Sequence, residues 1–262
     1  RLEVLKIRSA LSAEEPPDSH DILERGLPPF RAPHHTVSYA GLVGGGSPPR
    51  PGEITLAHRG VLFLDELPEF QRQSLEALRQ PLELGSVHIR RSDSSLEFPA
   101  AFQLITAMNP CPCGYLGHPS RPCSDTPQQI QRYRARISGP LLDRIDIHLQ
   151  LLPVHAEELL DPHEPEDPLN PRLQRRVAEL RRVQRERNGG RLNTELEENE
   201  LRRPDHLTGG ARRLLILTCR GGRLSARGIT RVLRVARSLA DLAEAPSIQE
   251  EQLAAALHYR VR

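Results

Sequence analysis

Lysine is almost absent from this chain of 262 residues. Of the 36 basic residues, only Lys6 is a lysine, and it lies in the apolar setting Leu5-Lys6-Ile7 with no glycine nearby. A Walker A loop, which wraps the phosphates of a nucleotide, needs Gly-Lys-Ser or Gly-Lys-Thr directly after a strand. The chain therefore contains no Walker A loop, which excludes a complete P-loop site built by these residues alone.

Long apolar runs are missing as well. No segment approaches the ~18 consecutive apolar residues that are typical of a membrane-spanning helix, and no signal peptide opens the chain. We therefore expect a soluble, cytoplasmic protein that does not contact a membrane.

Acidic residues are scarce in one part of the chain only. The net charge is +2, yet residues 172–237 contain 18 Arg and 7 acidic residues. Such an excess of positive charge favours a polyanionic partner, although arginine-rich helical faces are more often simply solvated. The charge distribution alone leaves both interpretations open.

The most informative stretch is residues 60–70, GVLFLDELPEF. Its apolar run at 61–64 predicts a short central strand that is buried on both faces. Asp65 and Glu66 follow at the carboxyl end of this strand, where open α/β sheets bind ligands. Because neighbouring strand residues point to opposite sides, one carboxylate is suited to hold Mg²⁺ and the other to polarise a water, as in a Walker B element. The alternative is a pair of acids in the first turn of a helix, stabilised by the helix dipole.

Periodicity and turn residues predict that the first part of the chain, residues 1–152, is α/β. The predicted elements are helices at 2–13 and 72–80, strands at 61–64, 86–91, 96–99, 101–108 and 145–151, and a helix that begins after Thr126. Residues 28–52, rich in Gly, Pro and His, predict a long ligand-approaching loop and not a packed element. The strand at 101–108 ends at Asn109, whose amide is suited to orient a water, to touch a phosphate or simply to cap a turn.

The second part of the chain is predicted to be all-helical. Residues 153–171 are rich in Pro and acids and are typical of a linker. Residues 172–262 then predict helices at 172–187, 210–219 and 225–242, with a last helix opened by a capping box at 247–250. Cys219 falls on an apolar face in this part and is expected to lie in the core.

Several long motifs occur together and in order. They are FRAPHHT at 30–36, GLVGGG at 41–46, GEI at 52–54, LAH at 56–58, GVLFLDELPEF at 60–70, AMNP at 107–110 and SGPLLDRID at 138–146. This set resembles the Mg-chelatase-like ComM/YifB subfamily of AAA+ ATPases over almost the whole chain. The resemblance implies an AAA+ P-loop NTPase αβα sandwich with a parallel sheet, incomplete here without the Walker A loop, followed by an all-helical lid domain. It also implies that the chain is part of a longer protein.

The resemblance assigns roles to matching side chains. Asp65 is expected to bind the Mg²⁺ of ATP, Glu66 to activate the attacking water, and Asn109 to act as sensor 1 near the γ-phosphate. Arg144 resembles an arginine finger, which reaches into the site of a neighbouring subunit. Arg227 resembles sensor 2, at the start of a lid helix. For both arginines the alternative is a surface ion pair.

Two segments resemble loops that face the central pore of a ring in this subfamily. Residues 36–51 match its helix-2 insert, and residues 86–98 match its pre-sensor-1 hairpin. His88, Arg90 and Arg91 on the hairpin are suited to touch the phosphate backbone of DNA without reading its sequence.

Three of the four cysteines are clustered, at Cys111, Cys113 and Cys123. In a reducing compartment such a cluster suggests a metal before a disulfide. The resemblance implies a fourth Cys two residues after the third, as many relatives look to carry, but this chain has Asp125 at that position. Three thiolates with Asp125 or His118 are able to hold a tetrahedral Zn²⁺, and metal-free cysteines in a turn are the alternative.

The resemblance leaves three functions open. In the first, the intact protein is an ATP-driven motor, a homo-hexameric ring that promotes branch migration on single-stranded or branched DNA during recombination or natural transformation. In the second, it is a chelatase-type ATPase that remodels a partner protein or inserts Mg²⁺ into a porphyrin. In the third, this chain alone is a non-enzymatic DNA-binding or assembly module, because without a Walker A loop we expect it to bind ATP poorly. The arginine-rich second part and the basic hairpin favour the DNA motor.

Overall fold

The chain forms two units in a computed structural model that describes residues 2–9, 27–90, 95–153, 169–221 and 224–260. The first unit is Arg1–Ile145 and the second is Asp146–Arg262. The linker predicted at 153–171 falls in the second unit, and its residues 154–168 lie outside the described residues. Within the described ranges, no helix has the length and apolar character to cross a membrane.

Among its described residues, the first unit combines short helices with three small sheets. In chain order its elements are α1 (Leu2–Ser9), β1 (Phe30–Arg31), α2 (Tyr39–Val43), β2 (Gly44–Gly45), β3 (Arg50–Pro51), α3 (Glu53–Leu56), β4 (Val61–Leu64), a 3-10 helix (Leu67–Glu69), α4 (Arg72–Ala77), α5 (Pro81–Leu84), β5 (Ser86–Arg90), β6 (Ser95–Pro99), β7 (Gln103–Thr106), α6 (Pro127–Arg134) and α7 (Gly139–Leu142). The main sheet is parallel, in the order β1-β4-β7. The predicted α/β class with a parallel sheet is confirmed.

Strand β4 is the centre of the parallel sheet, as predicted. On the β7 side, Val61 lies opposite Gln103 and Leu64 lies opposite Thr106. Leu62 and Leu64 are fully buried, whereas the other two side chains of the strand are half-buried. Burial is therefore complete on one face only, and the expectation of two fully buried faces is wrong.

Gly60 lets β1 approach β4 closely. A Cβ at this position would lie 1.9 Å from the carbonyl oxygen of Pro29, so a larger residue would force the backbone apart. The amide of Val61 donates to the same carbonyl at 2.8 Å. This contact begins the pairing of the two strands.

One hydrophobic cluster fills the first unit. Its buried members are Leu42, Val43, Ile54, Ala57, Leu62, Leu64, Leu67, Phe70, Leu75, Leu78, Val87, Ala100, Ile137 and Leu141. Leu42 and Val43 belong to α2, so the segment at 28–52 contains a packed helix, and the prediction that it holds no packed element is wrong. Ser38 caps α2 by accepting a hydrogen bond from the Gly41 amide at 3.0 Å. This local cap outweighs the Gly- and Pro-rich composition around it.

Strands β5 and β6 form the predicted antiparallel hairpin. Ser86 lies opposite Pro99 and Arg90 lies opposite Ser95. The buried side chain of Val87 anchors the hairpin in the core of the unit. The tip, residues 91–94, lies outside the described residues.

The second unit is helical, as predicted. Its elements are α8 (Leu169–Arg187), a 3-10 helix (Asn193–Glu195), α9 (Glu198–Leu201), a 3-10 helix (Pro204–His206), α10 (Gly209–Arg220), α11 (Ala226–Leu242) and α12 (Glu250–His258). Its core consists of Leu196, Leu201, Ala211, Val232, Leu233, Ala236, Ala240, Ile248, Leu253, Ala256 and Leu257. Cys219 is only half-buried, so its expected place in the core is wrong.

The strand predicted at residues 145–151 does not form. The alternating pattern is present in the sequence, but Leu149 and Leu151 are exposed. The amide of His148 donates to the carbonyl of Tyr259, after the end of α12, at 2.8 Å. A strand needs a neighbouring strand for its ladder, and α12 does not provide one.

The last helix begins later than predicted. Gln249 is its N-cap residue, and the Gln249 amide donates to Oε1 of Gln252 at 3.0 Å. The predicted box at 247–250 is wrong because Ile248 is extended and forms a parallel bridge with Leu207.

A buried polar network ties α8 to α11. Asp241 accepts hydrogen bonds from Nη2 of Arg187 at 2.9 Å, Nδ2 of Asn193 at 2.8 Å and Nη2 of Arg237 at 3.0 Å. The side chains of Asp241 and Arg237 are both 1% exposed. Burial raises the pKa of the Asp241 carboxyl, but the hydrogen bonds from Arg187 and Asn193 outweigh it and hold the pKa below its ordinary value. The network therefore stabilises the charged carboxylate inside the unit.

Candidate functional site

The carboxyl ends of β4 and β7 place three predicted site residues at one edge of the parallel sheet. Backbone pairing continues past the strands, because the Leu67 amide donates to the Ala107 carbonyl at 3.0 Å. Asp65 and Glu66 directly follow β4, and Asn109 comes three residues after β7. All three are exposed. Since parallel strands end at the same edge, the two acids and the amide share the edge where such sheets bind ligands.

Strand alternation does not set the directions of Asp65 and Glu66, contrary to expectation, because both residues lie beyond the strand. Strand β4 ends at Leu64, and Glu66 adopts a φ of 51° in the left-handed region. Its amide donates to Oδ1 of Asp65 at 2.8 Å, which stabilises the turn into the 3-10 helix. A turn, and not strand alternation, therefore sets the directions of the two carboxylates. Strained backbone of this kind is frequent at functional sites.

His35 contacts Glu66, and the sequence reasoning gave it no role. Nδ1 of His35 lies 3.1 Å from Oε2 of Glu66, and the two side chains are 28% and 55% exposed. The His35 ring also meets the ring of Phe70 edge-on, with 6.4 Å between centroids. The contact follows from topology, because His35 comes after β1, the neighbour of β4. The FRAPHHT motif was the available signal in the sequence.

Arg144, the predicted arginine finger, is buried within its own unit. Its guanidinium donates to the carbonyls of Arg79 at 3.2 Å and Pro140 at 2.6 Å, and to the carboxylate of Glu83 at 2.5 Å. The side chain is only 4% exposed. In this conformation Arg144 is a structural residue, and the finger role, which requires its release from Glu83, stays a prediction.

Arg227, the predicted sensor 2, is the second residue of α11 and is exposed. Ser225 caps this helix by accepting a hydrogen bond from the Gly228 amide at 3.0 Å. The cap fixes the start of the helix and thereby places Arg227 on its first turn. Its role as sensor 2 stays a prediction.

The hairpin carries the predicted DNA-binding residues. His88 lies opposite Glu97, and its Nε2 is 3.7 Å from Oε1 of that acid. Arg90 is the last residue of β5, but its side chain lies outside the described set, as does the whole of Arg91. An acidic side chain therefore lies beside His88 on the described part of the hairpin.

The three clustered cysteines meet in one group. The Sγ atoms of Cys111 and Cys113 are 3.4 Å apart, those of Cys113 and Cys123 3.5 Å, and those of Cys111 and Cys123 3.6 Å. Oδ2 of Asp125 accepts a hydrogen bond from the Cys113 amide at 2.8 Å and lies 3.7 Å from the Sγ of Cys123. Hydrogen bonds from Cys113 hold the pKa of the Asp125 carboxyl below its ordinary value.

His118, the other candidate for the fourth ligand, faces elsewhere. Its Nδ1 accepts hydrogen bonds from the amides of Ser120 and Arg121, both at 3.1 Å. Its ring also packs edge-on against Tyr115. Of the two candidates, the structure brings Asp125 to the thiols.

Comparison with known families covers both units. The family described as "Magnesium chelatase, subunit ChlI" matches residues 1–159, and "Magnesium chelatase, subunit ChlI C-terminal" matches residues 171–260. The chain belongs to the magnesium chelatase ChlI family. The predicted resemblance is thereby confirmed, and membership implies the use of ATP and Mg²⁺ in general.

Curated relatives of this ChlI-family chain agree. It is 44% identical over 233 residues to "Competence protein ComM" of Haemophilus influenzae. The matched region covers 88% of the chain and 45% of that protein. It is 43% identical over 235 residues to "Uncharacterized protein YifB" of Salmonella typhimurium, with the same coverage of 88% and 45%. The chain therefore spans about half the length of the curated relatives it matches.

The residues of this ChlI-family chain fit one side of a site for ATP and Mg²⁺. Asp65 is an exposed carboxylate at a strand end, and Mg²⁺ prefers such oxygen ligands while keeping most of its waters. Glu66 and Asn109 lie at the same sheet edge. The lysine-bearing loop that would cradle the phosphates is not encoded in these 262 residues.

Proposed function

We propose that this chain supplies the residues that bind the metal and activate the water at the ATP site of a ring-shaped ATPase that acts on DNA. The observation that carries the proposal is the arrangement of Asp65, Glu66 and Asn109 at one edge of the parallel sheet, beyond β4 and β7. Acids and an amide at this edge are the groups needed beside a terminal phosphate, where positioning and electrostatics dominate the chemistry.

Each residue has a separate task in this proposal. Asp65 holds the metal, and Mg²⁺ when bound offsets negative charge on the phosphates. Glu66 takes up the proton of the attacking water, and Asn109 orients that water by a hydrogen bond. His35, through its contact with Glu66, keeps that carboxylate in place.

The proposed substrate is single-stranded or branched DNA, moved by a homo-hexameric ring. Residues 172–237, with 18 Arg and 7 acids, supply positive charge for phosphate contacts that do not depend on sequence. The name of one relative, Competence protein ComM, supports a role in DNA uptake and recombination, for which branch migration is the proposed activity.

A chelatase-type activity is the second candidate. The family description names magnesium chelatase, and Glu97, opposite His88, places a negative charge on the hairpin. In this reading the same ATP site drives remodelling of a partner protein or insertion of Mg²⁺ into a porphyrin.

The test uses a restored protein, meaning this chain joined to an upstream family segment that carries a Walker A loop. Phosphate release is measured without nucleic acid, with single-stranded DNA and with a branched junction, and junction migration is followed on gels. We expect DNA to stimulate turnover and ATP to drive migration. A turnover rate that DNA does not change, but that a porphyrin or a partner protein raises, would favour the second candidate. The 262-residue chain alone is the control, and its turnover is expected to be negligible.

A further inference from the structure

The thiols of Cys111, Cys113 and Cys123 surround a common point together with Asp125. One ligand atom from each of the four residues lies within 4.8 Å of every other. The three sulfur separations, 3.4 to 3.6 Å, are far longer than the ~2.05 Å of a disulfide. Two thiolates at about 2.3 Å from one Zn²⁺ in a tetrahedron are about 3.8 Å apart. The sulfur positions are therefore close to those of a tetrahedral metal site.

We propose that Cys111, Cys113, Cys123 and Asp125 bind one Zn²⁺ as a closed structural site. Three soft thiolates select zinc over Mg²⁺ or Ca²⁺, which take oxygen ligands. Four protein ligands leave no open position for a water or a substrate, which is the arrangement of structural zinc and not of catalytic zinc.

Asp125 is already positioned as the fourth ligand. Its Oδ2 lies 3.7 Å from the Sγ of Cys123, and a thiolate and a carboxylate oxygen on one tetrahedral zinc are about 3.5 Å apart. The Cys113 amide donates to this oxygen at 2.8 Å. Hydrogen bonds of this kind orient metal-bound carboxylates in proteins.

The backbone on both sides of the site is fixed by other contacts. On the first side, Nη2 of Arg134 donates to the carbonyl of Pro110 at 3.2 Å, next to the fully buried Cys111. On the other side, Thr126 follows Asp125 and begins α6 with a capping box, in which its amide donates to Gln129 at 2.7 Å. The segment between β7 and α6 is thus held at both ends, and the metal would close it in the middle.

The arrangement of the four groups also favours a zinc site over a redox disulfide. A disulfide joins two sulfur atoms and would leave the third thiol of this cluster without a covalent partner. A carboxylate has no part in disulfide chemistry, yet Asp125 is held against the thiols by the Cys113 amide. Zinc uses all four groups at once.

The test is metal analysis of the purified chain, prepared with a reductant and without chelator. We expect about one zinc per chain by mass spectrometry of the metal. Replacement of the zinc by Co²⁺ should give an absorption spectrum with thiolate-to-cobalt charge-transfer bands and the strong visible bands of a tetrahedral site. A chain without zinc that fails to take up Co²⁺, or a Co²⁺ spectrum typical of six oxygen ligands, would overturn the proposal.

Variants at the half-exposed ligands separate loss of the site from loss of the fold. Cys123→Ser and Asp125→Ala should each lower the affinity for zinc at least ~10–100-fold, which is the cost of losing a supporting group. Asp125→Cys should keep the affinity. Cys219→Ser is the matched control and should keep one zinc. Full zinc affinity in Asp125→Ala would overturn the assignment of the fourth ligand, and full affinity in Cys123→Ser would overturn the site.

Discussion

Nδ1 of His35 lies 3.1 Å from Oε2 of Glu66, so a side chain from the segment after β1 holds the carboxylate that follows β4. Glu66 has a strained backbone, with a φ of 51°, and its carboxylate is more than half exposed. A partner is therefore needed to keep the carboxylate in one place. His35 is a positioning residue in the proposed ATP site, because it acts through Glu66.

Removal of His35 should lower turnover without weakening ATP binding. In the restored protein, we expect His35→Ala to reduce kcat about tenfold, since orientation of a general base supplies part of its ~10²–10⁴-fold effect. The Kd for ATP should stay unchanged, and His35→Gln, which keeps an N–H donor, should recover part of kcat.

His34→Ala is the matched control for this prediction. Nδ1 of His34 lies 2.9 Å from Oγ1 of Thr36, and the His34 ring also packs on the His35 ring with 4.0 Å between centroids, so this variant removes ring packing but not the side chain that contacts Glu66. Equal losses of kcat in His34→Ala and His35→Ala would contradict the prediction, because turnover would then depend on packing of the two rings and not on the contact of His35 with Glu66.

Arg144 should contribute to stability through its buried bonds. We expect Arg144→Ala to lower the free energy of unfolding of the chain by about 2–4 kcal/mol, because two carbonyls and Glu83 lose a charged donor. Urea unfolding measures this loss. Glu83→Gln keeps an acceptor for the guanidinium and should cost less. A fully stable Arg144→Ala protein would contradict the buried placement.

The finger role of Arg144 has a separate test in mixed rings. Restored Arg144→Ala subunits, which we expect to be inactive alone, are combined with restored Glu66→Gln subunits. A finger acts across the subunit boundary, so partial recovery of phosphate release is expected if Arg144 leaves Glu83 in the ring. No recovery at any mixing ratio would assign Arg144 a structural role only.

The hairpin arginines should set part of the salt dependence of DNA binding. In the restored protein, Arg90→Ala with Arg91→Ala should weaken binding to all sequences alike and reduce the salt slope by about one phosphate contact per arginine. The double lysine variant keeps both charges and should keep the slope. Affinity for single-stranded and branched DNA over a salt series measures this, and an unchanged slope in the alanine variant would remove the hairpin from the mechanism.

Asp241 should make the second unit sensitive to acid. Its pKa is below the ordinary value in the folded state, so its stabilisation is complete above the unfolded pKa of about 3.9 and is lost as the pH falls toward the folded pKa. Asp241→Asn should lose about 3–5 kcal/mol at neutral pH, since Arg237 would stay buried without its carboxylate.

Thermal and urea unfolding between pH 3 and pH 7 compares this variant with Asp205→Asn, an exposed acid of the same unit. The wild type and Asp205→Asn should lose stability in parallel on acidification, while Asp241→Asn should show a flatter profile. Identical profiles for all three proteins would contradict the stabilising role of the network.

The parts of the fold that the sequence predicts correctly are those with a local cause. The apolar run of β4 is uninterrupted and ends clearly at Asp65. The side chain of Thr126 caps the N-terminus of α6, so the start of that helix is set locally. The prediction fails where a contact with a distant part of the chain determines the local structure. Residues 145–151 alternate like a strand, but their neighbour is the end of α12, and the sequence does not show this.

The candidate site follows the same rule. The acids and Asn109 could be predicted because strand ends coincide in a parallel sheet. The contact of His35 with Glu66 and the burial of Arg144 depend on the order of the strands and on Glu83, and neither is visible in spacing. The cysteine spacing predicts a cluster, but only the folded chain shows that Asp125 and not His118 completes it.

The most direct test of the proposed ATP site is Glu66→Gln in the restored protein, with ATP binding and single-turnover hydrolysis measured on the same preparation. The amide keeps the size of the side chain but does not accept the proton of the water, while Asp65, the proposed ligand of the metal, is unchanged. We predict unchanged ATP affinity and a fall in the hydrolysis rate of about 100-fold or more. Hydrolysis within about twofold of the wild type would contradict the assignment of Glu66 as the water-activating residue.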